Sequence, residues 1–136
     1  MTVDEHPLLG IVGMSTLIVR AGDTSVAAGV NDLAVMSGSC ALSLIESACS
    51  AALAEHCAPG ETSFTQSISL SMSTSVPIGE EVRAHVRVID VNDSVLTFEA
   101  VITHINRTIA TAEVQRRLID RLSFMARIAA ERIISA

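Results

Sequence analysis

Lysine is missing from this 136-residue chain, and all nine strongly basic residues are arginine. That excludes chemistry needing a side-chain amine, including Schiff-base catalysis, pyridoxal phosphate and the phosphate-loop nucleotide site. Trp and Tyr are absent and Phe totals three, although hydrophobic residues make up 49% of the sequence. A core built from Val, Ile, Leu, Ala and Met is therefore expected. The formal net charge is −6, so the electrostatic footprint of nucleic-acid binding is lacking and no nucleic-acid partner is expected. The three cysteines, Cys40, Cys49 and Cys57, form no C-x-x-C pair, which argues against a disulfide framework or zinc knuckle and fits a reducing cytoplasm. Glu55-His56-Cys57 lacks metal-ligand periodicity on a helix, and no metal is expected. The acidic start, Met1 to His6, lacks the basic region of a signal peptide. The length suits one domain over residues 1–136.

What the chain does have is a long apolar stretch over 33–56, with Glu46 as the one charge in its interior. Ser39, Ser43, Glu46 and Ser50 recur at helical spacings and share a face, while Leu42, Ile45, Cys49 and Leu53 form a second stripe. The spacing predicts a helix over this stretch, capped by Asn31 or Asp32 and stopped before Cys57-Ala58-Pro59-Gly60. Five serines and Glu46 argue against a membrane span, so no membrane partner is expected. A carboxylate inside a core-type helix costs several kcal/mol, on the order of an unpaired buried polar group, unless something compensates it. Glu46 is thus either hydrogen-bonded, by Ser43, Ser50 or sheet backbone, or used for chemistry. In the second case burial raises its pKa, which suits a general base or an attacking carboxylate.

Strands flank this helix. Val12 to Val19 precedes it and ends at the turn residues Ala21-Gly22-Asp23. After it, Ile68, Leu70, Met72 and Val76 alternate with a row of serines, and Pro77-Ile78-Gly79 breaks the pattern. Val82 to Val88, Leu96 to Thr103 and Thr108 to Ile119 supply three more strands, joined by turns at Asn92-Asp93 and Asn106-Arg107. A short helix over 122–134 closes the chain, with Met125, Ile128, Ala129 and Ile133 as its expected buried side. The first helix is hydrophobic on nearly every side and needs wrapping on more than one. A curved antiparallel sheet folded around one long central helix meets that need, an α+β arrangement known as the hotdog fold. The sheet's outer face and edge then call for self-association, as a homodimer or higher homo-oligomer.

Over roughly residues 10–130 the chain resembles the fluoroacetyl-CoA-thioesterase-like branch of the hotdog thioesterases. The residues carrying the resemblance are Val12-Gly13, Leu44-Ile45-Glu46-Ser47-Ala48, Pro59-Gly60-Glu61, Pro77-Ile78-Gly79, and Arg116 with Phe124. It implies acyl-CoA thioester hydrolysis by a helix-start threonine, a mid-helix glutamate and a strand histidine. Glu46 matches the glutamate. The threonine position falls on Gly38, between Ser37 and Ser39, and the histidine position falls on or near Met72. A further histidine before the late arginine is replaced by Val114. The expectation is hydrolysis with a reduced set, or acyl binding without efficient turnover. A purely structural oligomerisation domain is a third, weaker reading. No cofactor is expected beyond coenzyme A as part of an acyl-CoA-type substrate.

The expected catalytic positions are Glu46, Ser39 and Gly38, and the expected substrate contacts are Ser37, Cys40, Met72 and Arg116. Free N–H groups at the helix start would hold the thioester oxygen as charge builds there, and Gly38 would admit it closely. Ser37 or Ser39 could equally be ordinary caps. Cys40 stands where a helix start can lower a thiol pKa, although a structural role is the commoner one for cysteine. Arg116 is among the arginines able to meet coenzyme A phosphates. His85 and His104 read as solvated surface residues.

Overall fold

In the computed structural model, which describes residues 6–135, the element order is β1 (Val12–Ile18), a 3-10 turn (Ala21–Asp23), α1 (Gly38–Leu53), β2 (Glu61–Met72), β3 (Glu81–Asn92), β4 (Val95–His104), β5 (Arg107–Asp120) and α2 (Arg121–Ser135). Every pairing is antiparallel and the sheet runs β1-β3-β4-β5-β2, curled around α1 in the expected hotdog arrangement. Alternation in the sequence becomes two faces in space. On β3, Val82, Ala84, Val86 and Val88 are buried, while Arg83, His85 and Arg87 point out. Leu96, Phe98, Ala100 and Ile102 do the same on β4, and meet Ala41, Ile45, Ala48 and Cys49 of α1 in the core. The core is largely the expected Val, Ile, Leu, Ala and Met, with Phe98 fully buried among them.

α1 begins at Gly38, later than the apolar run suggested, and Asn31 and Asp32 do not cap it. Asn31 instead accepts from the Leu33 N–H in a local turn (2.8 Å). Residues 33–37 stay extended because Met36 is claimed by the chain beyond β2: its N–H donates to the Val76 carbonyl (2.9 Å) and its carbonyl accepts from the Ser75 hydroxyl (2.7 Å). Ser37 then takes the cap position, with extended backbone, and its hydroxyl oxygen accepts from the Cys40 N–H at 3.0 Å. The helix ends at Leu53, short of His56.

α1 leans toward β1. A Cβ on Gly13 would collide with the Ala48 carbonyl and lie 2.7 Å from the Ala52 methyl, so only glycine lets helix and strand approach this closely. Two residues on, the Ser15 hydroxyl donates to the Leu44 carbonyl (2.7 Å).

β2 starts at Glu61, well before its clean alternation, because its first residues are held by backbone pairing with β5 from Glu61↔Asp120 onward. It ends at Met72, so Ser73 to Val76 lie beyond the strand. The tight turns fall at Asp93-Ser94 and Ile105-Asn106, each one residue from its expected place, with Asp93 (φ 55°) and Ile105 (φ 58°) left-handed. α2 corrects another expectation. Met125, Ile128, Ala129 and Ile133 are exposed, because the helix leaves the sheet at Arg121 and touches it through Phe124, stacked on Phe64 at a centroid distance of 5.1 Å. Among the described residues no helix is long and apolar enough to cross a membrane.

Candidate active site

The start of α1 brings three of the expected positions together. Ser37 is buried and caps the helix, its hydroxyl 3.1 Å from that of Ser39, which is exposed. Gly38 lies between them, and a Cβ there would meet nothing within 4 Å. The space above this backbone is open, so an incoming group can reach the helix-start N–H groups of Gly38 and Ser39, which precede the capped Cys40 N–H. Cys40 stands one position on. Its thiol pKa is raised rather than lowered, chiefly because burial disfavours the thiolate, with Asp23 adding to the rise and Arg20 opposing it.

Glu46 lies two turns further along. The Leu44 and Ala48 carbonyls and the Ala52 methyl face β1, so Glu46 and Leu42 occupy the flank of the helix turned away from that strand. Its side chain is half-buried rather than enclosed, and among the described residues it makes no hydrogen bond or ion pair. The capping by Ser43 or Ser50 considered from the sequence does not occur: both serines are exposed, and neither hydroxyl bonds to the carboxylate. Cys49, beside it, has its pKa pushed up to about 12, first by burial, with Arg116 lowering it and Glu46 raising it.

Met72 and Arg116 mark opposite ends of α1. Met72 is half-buried against the core at the end of β2 that leads to the helix start. Arg116 is 8% exposed near the helix C-terminus, and its guanidinium is taken up locally by the Ser63 hydroxyl, the Ser63 carbonyl and the Thr65 hydroxyl, each at 3.0 Å. It does not reach the helix start, and nothing in its sequence context announced these partners.

A groove of about 420 Å³ runs between the first three turns of α1 and the edge of β1. Ser39, Cys40, Ser43 and Ser47 form its helix wall, and Arg20 and Asp23 roof it. Glu46, Met72 and Arg116 do not line it. A larger open depression of about 830 Å³ lies on the outer sheet face around Met14, His85 and the Arg87–Glu99 ion pair. None of the expected catalytic or substrate-contact residues lines it. His104, expected at the surface, is instead half-buried with its Nε2 2.7 Å from a Glu80 carboxylate oxygen. Among the described residues no three His, Cys, Asp or Glu side chains stand together as a metal site would require.

Comparison with known proteins adds the lineage. The model of the fluoroacetyl-CoA-specific thioesterase family matches residues 19–122, most of the chain. The chain belongs to this family. Among solved structures, the fluoroacetyl-CoA thioesterase FlK superposes with a TM-score of 0.83 at 19% identity, over 93% of this chain and 98% of that one. A hypothetical protein of Thermus thermophilus, described as a thioesterase superfamily member, gives 0.83 at 14% identity, over 97% and 100%. A hot-dog-like protein from Thermanaerovibrio acidaminovorans gives 0.84 at 17% identity, over 90% and 91%. At these identities the superpositions establish the shared fold. No curated protein matches the sequence. The family match ends as α2 begins, so the exposed C-terminal helix lies outside it. Sequence reasoning missed Arg20 and Asp23, the groove's charged pair. Their i, i+3 spacing across Ala21-Gly22 was the available signal, and it was read only as a turn.

Proposed function

We propose that the protein hydrolyses acyl-CoA thioesters, with Glu46 as the general base that directs water onto the thioester carbonyl. The observation carrying this reading is the thioesterase-family match over residues 19–122, in a chain that keeps a glutamate on an open flank of its central helix. Glu46 takes a proton from water, the water oxygen bonds to the carbonyl carbon, and the carbonyl oxygen gathers negative charge. N–H groups at Gly38 and Ser39, at the positive end of the helix dipole, stabilise that oxygen. The intermediate then expels the sulfur of coenzyme A, which leaves as thiolate and is protonated to the thiol. Ser39 and Glu46 are seven residues apart on a helix that rises about 1.5 Å per residue, so water and substrate fit between them. Ser37, Cys40 and Met72 contact the substrate around this tip. The reaction uses coenzyme A as part of the substrate and no further cofactor.

A second copy of the chain completes the site in this proposal. From Thr62 to Gly79 no residue is charged, and β2 pairs with β5 alone. An edge strand of 12 residues with no proline, and with no charge after Glu61, is the kind that pairs with another strand. Two-fold pairing of β2 with its copy brings a partner toward the Glu46 flank. The compartment proposed is a reducing cytoplasm, which suits three free cysteines.

Gly38, Met72 and Val114, where the family resemblance implies a threonine and two histidines, favour one other reading, an acyl-CoA binding protein without turnover. Release of free thiol from a panel of acyl-CoA substrates separates the two. Turnover of at least one thioester, above the rate without protein, is expected. Binding of acyl-CoA with no release from any of them would overturn the hydrolase reading.

A further inference from the structure

We propose that the groove between α1 and β1 receives the acyl end of the substrate and that Arg20 binds a carboxylate there, so that the preferred substrates are short carboxyacyl thioesters. The inference takes its substrate from the thioesterase reading, but it rests on residues that reading leaves idle. About 420 Å³ lies within the ordinary range for ligand sites, and suits a chain of a few carbons rather than the whole of coenzyme A.

The walls are polar in the wrong way for a fatty chain. The hydroxyls of Thr16, Ser43 and Ser47 line the groove and have no protein partner among the described residues. A plain alkyl chain laid against them displaces their water and returns no hydrogen bond. A chain ending in a polar group restores those bonds.

Arg20 supplies the charge. Its Nε donates to the Asp23 carboxylate at 3.3 Å, and the same oxygen accepts from the Arg20 backbone N–H at 3.0 Å. This leaves the two terminal nitrogens unpartnered among the described residues, on a side chain 76% exposed at the groove mouth. A guanidinium held through Nε presents those nitrogens as a fork, the geometry that takes a carboxylate bidentately. Asp23 is itself fixed, because its backbone carbonyl accepts from the Ser37 N–H at 3.0 Å. The clamp on Arg20 is thereby tied to the cap of α1, where the thioester carbonyl is placed in the reading above. Asp23 keeps its negative charge, since the Arg20 backbone N–H holds its carboxyl below the usual value against the opposing effect of desolvation. That charge is spent on positioning Arg20. Ser39, at the helix tip, belongs to both flanks, so one acyl chain can pass from the Glu46 side into the groove.

The rival source of the same anionic contact is the phosphates of coenzyme A, which every thioester of the class carries. Two unreactive thioethers tell them apart, S-(3-carboxypropyl)-CoA and S-butyl-CoA, titrated calorimetrically into the full-length protein. The wild type is expected to bind the carboxypropyl compound about tenfold more tightly, in line with a bidentate charge-assisted pair. Arg20→Gln removes that difference and leaves S-butyl-CoA affinity unchanged. Arg20→Lys, which keeps charge without the fork, recovers only part of it. Equal affinities in the wild type overturn the inference. So does an equal loss for both ligands in Arg20→Gln, which would mark a phosphate contact. Neither thioether can be hydrolysed, so a protein that shows the preference but turns over no thioester keeps this inference and loses the hydrolase reading. A protein that turns over thioesters without the preference does the reverse.

Discussion

The two edges of the sheet are finished in opposite ways. β1 also pairs on one side alone, but its inner face is pressed onto the chain's own helix, with Gly13 against Ala48 and Ala52 and the Ser15 hydroxyl on the Leu44 carbonyl. β2 meets α1 only lightly, carries no charge along its length beyond Glu61, and pairs on one side alone. The helix flank that faces β1 is committed to packing, and its hydroxyls line a groove only near the helix start. The opposite flank carries Glu46, half-buried and without a bonded partner among the described residues. Helix packing is concentrated at one edge, and the proposed chemistry looks away from it.

The sharpest way to break this contrast is at β1. Gly13→Val puts side-chain atoms into the Ala48 carbonyl, and since the strand and helix backbones must part, a loss of about 3 kcal/mol or more is expected. Denaturant melts read this directly, and an unchanged midpoint would show that the edges are not so different. Next comes β2, where Ser69→Glu with Ser71→Glu sets like charges across the proposed two-fold. Light scattering should then report monomers, with the fold retained because both serines face solvent. A dimer that persists would move the interface elsewhere.

The smallest effect sharpens the β1 side. Asp23 has its carboxyl held below its ordinary value of 3.8, first by the Arg20 backbone N–H. A depressed carboxyl adds stability that is present above its unfolded value and is lost as pH falls through its folded value. Asp23→Asn should therefore lower the melting temperature slightly at about pH 7, with the gap from wild type closing at about pH 3. A gap that widens on acidification would contradict the assignment.

Much of this architecture is legible in the residues. Val82 to Val88 and Leu96 to Ile102 alternate so cleanly that their faces follow from period alone. The helix around Glu46 follows from its stripes. Its starting point does not, because the apolar residues 33–36 resemble its first turn, and they are held out of it by backbone bonds to Ser25 and Val26 and by the tether of Met36 to Ser75 and Val76, distant in sequence. The early part of β2 lacks alternation and is a strand by virtue of β5. In α2 the apolar stripe is real, yet Met125, Ile128, Ala129 and Ile133 are exposed while Phe124 packs on Phe64. Glu46 shows the same division. Its helical spacing fixes the flank it occupies, whereas its half-exposure is a property of the packed helix that spacing does not give.

One measurement bears most directly on the proposed role of Glu46. In the Glu46→Gln variant, whose amide is isosteric but cannot accept a proton from water, kcat/KM for the best acyl-CoA substrate should fall by about 10²- to 10⁴-fold while oligomer size and melting temperature stay those of the wild type. Undiminished kcat/KM in a correctly assembled variant would remove this glutamate from the mechanism.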